Sequence, residues 1–185
     1  GRADIGIGAG WFAEEFNEFG YGFPTLGERL DQLEEALTIF RSLIHEEETN
    51  FKGKYYDIRG AVCAPKPLNP GMRLWVGGRG KVRTPDIAAR FGDGFNMPYL
   101  APPSVADRLG RLRRRCDEYD RDPAEIETSV NVGFYLGDRQ PDIHPAGSLV
   151  GSAQQAIDRI AEYVETGVQG LNIAFRPPVD WDALQ

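Results

Sequence analysis

The chain has 185 residues, with 21 Lys and Arg against 28 Asp and Glu, for a formal charge of −7. That balance opposes the concentrated basic face that nucleic-acid binding requires, and 41% apolar residues with 11% aromatics exclude a disordered chain. Two cysteines, Cys63 and Cys116, exclude a disulfide scaffold and fit no metal-ligand spacing. Read as reduced thiols, they place the protein in the cytoplasm, and no apolar run is long enough to span a bilayer.

Residues 3–9 (ADIGIGA) read as a strand. Thr25 and Glu28 then form a capping box, each side chain satisfying a free backbone donor of the first turn. Leu30, Leu33, Leu37, Phe40 and Ile44 follow at three- and four-residue steps, which predicts a helix over roughly 27–45. Residues 51–58 (FKGKYYDI) alternate around Gly53 and predict a surface hairpin inserted in a loop. A strand over 73–77 leads to Thr84-Pro85-Asp86, read as a helix start with Thr84 as the cap. After a strand over 93–97, Ser104 and Asp107 open a third helix. A long strand over 128–136 is followed by an irregular loop over 137–151. Ser152 and Gln155 cap a fourth helix, Gly167 closes it, and 170–175 is the last strand. Another helix is predicted to start at Asp180.

Several strands are continuously apolar, as buried parallel strands are. Alternating strands and helices predict an α/β fold with a parallel sheet. Two architectures remain open on pattern alone: a complete doubly wound sheet, or part of a (β/α)₈ barrel, which needs about 250 residues. The chain starts without Met, inside a strand, and stops as a helix begins. Truncation at both ends is therefore expected.

Two glycine clusters carry the chemistry. Gly8-x-Gly10-x-x-Ala13 imitates a dinucleotide fingerprint, but Gly20, Gly22 and Pro24 intervene before the helix. The helix N-terminus cannot then hold a pyrophosphate, so that reading fails. Glycines at a strand's end do let a flat ligand approach the backbone. Gly77-Gly78-Arg79-Gly80 lies between a strand and a helix start, where free backbone N–H groups favour an anion, and Arg79, Lys81 and Arg83 add positive charge. The run Arg111, Arg113, Arg114, Arg115 is followed by acids and reads as a charged outer helix face. Glu14 and Glu15 are candidate acid–base groups. His45 and His144 stand 99 positions apart and make no metal site.

The succession GIGAGW, ERLDQLEEALTIFRSL, FKGKYYDI, PKP, LWVGGRG and DIAARFGDGFN resembles the luciferase-like monooxygenase superfamily, and is especially similar to its coenzyme F420-dependent branch. The likeness continues through VGSAQQAIDRIAEYVETGVQGLNIAF. It implies a (β/α)₈ TIM barrel, here a partial barrel of about strands four to eight forming one domain over 1–185. It implies an oxidoreductase that uses coenzyme F420, or alternatively FMN in a monooxygenase, on a small organic substrate. A non-catalytic phosphoryl-ligand module with a doubly wound sheet is the rival of another class. By resemblance, Ala9, Gly10 and Trp11 lie near the cofactor's polar chain. Gly77, Gly78, Arg79 and Gly80 hold its phosphate with Thr84, and Asn96 and Met97 face the ring or substrate. No metal is implied and no catalytic residue is assigned. Pairing through outer helices into a homodimer is also implied.

Overall fold

Five strands that the sequence separates with helices lie side by side in chain order. The computed structural model describes residues 3–68, 71–136 and 145–175. The elements are β1 (Ile5–Gly8), α1 (Ala13–Glu18), α2 (Leu26–His45), β2 (Thr49–Lys52), β3 (Asp57–Ala61), β4 (Leu74–Gly77), α3 (Arg83–Phe91), β5 (Gly94–Pro98), α4 (Pro102–Glu118), β6 (Glu127–Leu136), β7 (Ser148–Gly151), α5 (Ala153–Glu165) and β8 (Gly170–Phe175). The strands β1, β4, β5, β6 and β8 are all parallel, each paired with the next. A doubly wound sheet reverses its strand order at a switch point. This one does not reverse, so it is an arc of a parallel barrel, and the doubly wound alternative is overturned.

Register explains the two faces. Side chains alternate along each strand. Ile7, Val76 and Phe95 line up on one face, as do Met97, Val130 and Leu171. These side chains meet Leu33, Leu37, Ile87, Val105, Leu109 and Leu112 of the helices in one core. The opposite face carries Gly8, Gly77, Asn96, Ser129 and Gly170 in one row across five strands. It forms an open trough of about 590 Å³.

Both predicted capping boxes are present, at Thr25–Glu28 and Ser152–Gln155. Gly167 has φ +83°, the left-handed geometry that closes α5. Three other helix starts differ from expectation. The six-residue α1 begins at Ala13, three positions after Gly10, where the sequence predicts no helix before residue 27. Thr84 does not cap α3: the helix starts at Arg83, behind Val82, with no side-chain cap. The Thr84 side chain is buried against the preceding loop instead. Ser104 does not cap α4, because Pro102 and Pro103 occupy its first two positions and have no N–H to satisfy.

The hairpin is present and wider than predicted, with β2 and β3 antiparallel. It docks on α2 through Glu35, whose carboxylate accepts from the amides of Lys54, Tyr55 and Tyr56 at 2.7–3.1 Å. Part of the predicted 137–151 loop is β7, which pairs with Gly133–Leu136 beyond the end of β5. The stretch 137–144, with His144, and the helix predicted at Asp180 lie outside the described residues.

Candidate functional site

The glycine clusters meet at the carboxyl edge of the sheet. Gly8 stands opposite Gly77, and Gly77 opposite Asn96. A Cβ on Gly8 would lie 2.8 Å from the Gly77 carbonyl oxygen, so only glycine permits this approach. Beyond β1, the Ala9 carbonyl accepts from Arg29 Nε at 3.1 Å. Arg29 also donates to Pro24 O, and its guanidinium lies 3.8 Å from the Phe23 ring centroid. One buried arginine thus shapes the turn that follows β1. Gly10, at φ +74°, leaves room for the Phe16 ring where a Cβ would stand. Trp11 lies in solvent at 85% exposure, against Phe12.

The second cluster is a loop folded onto Thr84. Gly78 N–H donates to the Asn96 carbonyl at 3.0 Å, extending the ladder one step. A Cβ on Gly78 would lie 2.9 Å from Thr84 Cγ2, and one on Gly80 would overlap Thr84 Oγ1. Among the described residues, none accepts a hydrogen bond from the amides of Arg79, Gly80, Lys81 or Val82. No side chain caps the first turn of α3. Unpaired donors at a helix start form an electropositive cradle. Arg79 and Lys81 are exposed beside it.

Arg83 is committed elsewhere. It bonds Asp31 and Glu34 at 2.7 Å each and Gly27 O at 3.1 Å, tying α3 to α2. The Glu34 bond, aided by Asp31, pushes its guanidinium pKa up, although partial burial opposes this. Of the three predicted cations, only Arg79 and Lys81 remain available to an anion.

Asn96 faces the trough. Met97, its neighbour on β5, points the other way and is fully buried in the helix-side core. The expectation that Met97 faces ring or substrate is therefore corrected: consecutive strand residues cannot share a face. Sequence reasoning missed three trough residues. Asn96 Nδ2 donates to Ser129 Oγ and Asn131 Oδ1, both at 2.9 Å. Asn172 Nδ2 reaches the same two acceptors at 3.4 and 3.1 Å. The signal was the two-residue step of Ser129 and Asn131, alternating with Val130 and Val132 in β6. Glu14 and Glu15 lie exposed in the first turn of α1, outside the trough. Among the described residues, no cluster of three His, Cys, Asp or Glu could hold a metal, and no helix is long and apolar enough to cross a membrane.

This arrangement can cradle a phosphate at the rim while presenting backbone and amide groups to a flat, polar molecule lying across glycine. Residues 1–144 match the family model of the luciferase-like monooxygenases. The F420-dependent glucose-6-phosphate dehydrogenase of Kineococcus radiotolerans is 37% identical over 98 residues, 51% of this chain and 27% of that protein. The chain therefore spans well under half the length of this curated relative. The structure of an F420-dependent secondary alcohol dehydrogenase, solved with an F420-acetone adduct, superposes with TM-score 0.85 at 19% identity, over 99% of this chain and 67% of the other. The coenzyme F420-dependent tetrahydromethanopterin reductase of Methanopyrus kandleri gives TM-score 0.81 at 16% identity, over 100% and 72%.

Proposed function

The chain belongs to the luciferase-like monooxygenase family, and from that premise we propose that it is the strand-four-to-eight part of one (β/α)₈ barrel that acts as a coenzyme F420-dependent oxidoreductase. The observation carrying this reading is the loop Gly77–Gly80, whose unpaired amides open onto an uncapped helix start at the carboxyl edge of the sheet. Ligands of parallel barrels bind at that edge. The residues fit the cofactor's phosphate, because the donor set is backbone N–H with Arg79 and Lys81 beside it. When bound, the deazaflavin supplies hydride transfer to or from a small organic substrate. This chain's own residues do three things. Gly8 and Gly77 keep the rim flat. Ala9 and Gly10, fixed by Arg29 and Phe16, shape the path of the polar chain. Asn96 is held in one orientation on the trough by the bonds of its Nδ2 to Ser129 and Asn131.

A second reading, FMN-dependent monooxygenation, is favoured by the family description itself. FMN carries the same phosphate chemistry to the same loop. Fluorescence titration of the full-length protein with coenzyme F420, followed by competition with FMN, separates the two. Saturable F420 binding that excess FMN fails to displace supports the deazaflavin. Displacement by equimolar FMN favours the monooxygenase.

The net acidity argues against a nucleic-acid partner. Free thiols at Cys63 and Cys116 suit a cytoplasmic site. On α5, Ile157 and Val164 stand 57% and 65% exposed, two helical turns apart. This apolar stripe supports pairing of outer helices in a homodimer.

A further inference from the structure

Arg108 lies on α4, behind the glycine loop, and is 5% exposed. A buried guanidinium normally has its donors paired, because an uncompensated charge is costly away from water. Here the pairing is incomplete. One terminal nitrogen bonds Asp107 at 2.6 Å, and that carboxylate is itself 62% exposed. The other reaches the Arg79 carbonyl oxygen at 3.4 Å. Nε is buried without a partner among the described residues. The positive charge thus sits under the loop with too little acceptor around it.

The contact with Arg79 has a geometric consequence. In a trans peptide the carbonyl and the next N–H point in opposite directions. Holding the Arg79 carbonyl toward α4 turns the Gly80 N–H to the opposite side, away from α4. The Gly80 amide is one of the unpaired donors of the cradle.

We infer that Arg108 is the buried cation of the anion site, a positioning residue that orients the Arg79–Gly80 peptide and supplies charge to a phosphodiester from beneath. It takes the place that sequence reasoning gave to Arg83, which is tied to Asp31 and Glu34. The inference rests on the phosphate reading above and adds to it the source of the charge.

The test compares two ligand pairs on full-length wild-type, Arg108→Met and Arg108→Lys proteins. One pair is coenzyme F420 and its deazaflavin chromophore without the phosphodiester tail. The other is FMN and riboflavin. Arg108→Met should weaken the phosphorylated member by about tenfold or more and leave its dephosphorylated counterpart within about twofold. Arg108→Lys should show a smaller loss with the same selectivity. Equal losses on both members of a pair would mean a merely structural role and would overturn the inference. Unchanged affinity for the phosphorylated member would overturn it too. If the Met variant does not fold, the Lys variant decides: no selective loss sinks the proposal. Failure of the deazaflavin reading looks different, since the wild type would then bind FMN and not F420, with the Arg108 selectivity intact. Binding of neither phosphorylated ligand by the wild type overturns both.

Discussion

Arg41 grips Asp93 through both carboxylate oxygens, at 3.0 Å on each side, across 52 residues of sequence. Arg41 also donates to Phe91 O at 2.9 Å. Asp93 in turn accepts from the Leu74 amide at 2.9 Å, its own amide donates to Leu74 O, and its carbonyl accepts from Glu127 N–H. One aspartate therefore joins α2 to the starts of β4, β5 and β6. This knot lies at the amino edge of the strands, opposite the ligand rim, where barrel residues serve stability. The pair is partly exposed, at 39% and 25%, so its worth is below that of a buried bridge. Arg41→Ala should cost about 1–2 kcal/mol in urea unfolding and leave cofactor affinity unchanged. A loss of affinity without a loss of stability would contradict this division of the molecule.

Glu35 gives the hairpin a pH dependence. Burial pushes its carboxyl up, but the amides of Tyr55, Lys54 and Tyr56 together outweigh that and hold it below the ordinary value of 4.5. A group lowered in the folded state stabilises above its unfolded value and loses that contribution as pH falls through the folded one. Docking of β2–β3 on α2 should therefore be full above about pH 5 and weaken in more acid solution. Amide exchange of Lys54–Tyr56, followed down the acid range, should rise earlier than exchange in β4–β6. In Glu35→Gln the rise should be present already at neutral pH.

The two thiols should react at different rates. Burial pushes the Cys116 thiol up, with the Arg121 charge opposing, and Cys116 lies fully inside the core. Cys63 is exposed. Iodoacetamide at pH 8 should modify Cys63 first and reach Cys116 only on unfolding. Mass spectrometry of the labelled peptides reads the order directly.

Much of this fold was legible because its signals are local. The Thr25 and Ser152 boxes use side chains within one turn, and the α2 stripe from Leu30 to Ile44 repeats within one helix. What failed depended on packing outside the element itself. Thr84 carries the chemistry of a cap, yet Gly78 and Gly80 leave a space that its side chain fills. Met97 ends a strand beside Asn96, but which of the two faces the trough is fixed by pairing with β4 and β6. β7 was hidden because four residues carry little periodicity. In sequence Arg83 stands beside the glycine loop and Arg108 lies 28 positions beyond it. Only packing decides that one clamps α2 and the other lies beneath Arg79.

The most direct test of the phosphate cradle is fluorescence titration of the full-length protein and its Gly78→Asp variant with coenzyme F420. The new side chain would press on Thr84 Cγ2, 2.9 Å from a Cβ at this position, and set a carboxylate against the phosphate. The wild type should bind saturably and the variant should lose about a hundredfold or more in affinity, since removing the cradle and adding repulsion each contribute about a factor of ten. Unchanged affinity in a folded Gly78→Asp protein would contradict this and move the phosphate away from this loop.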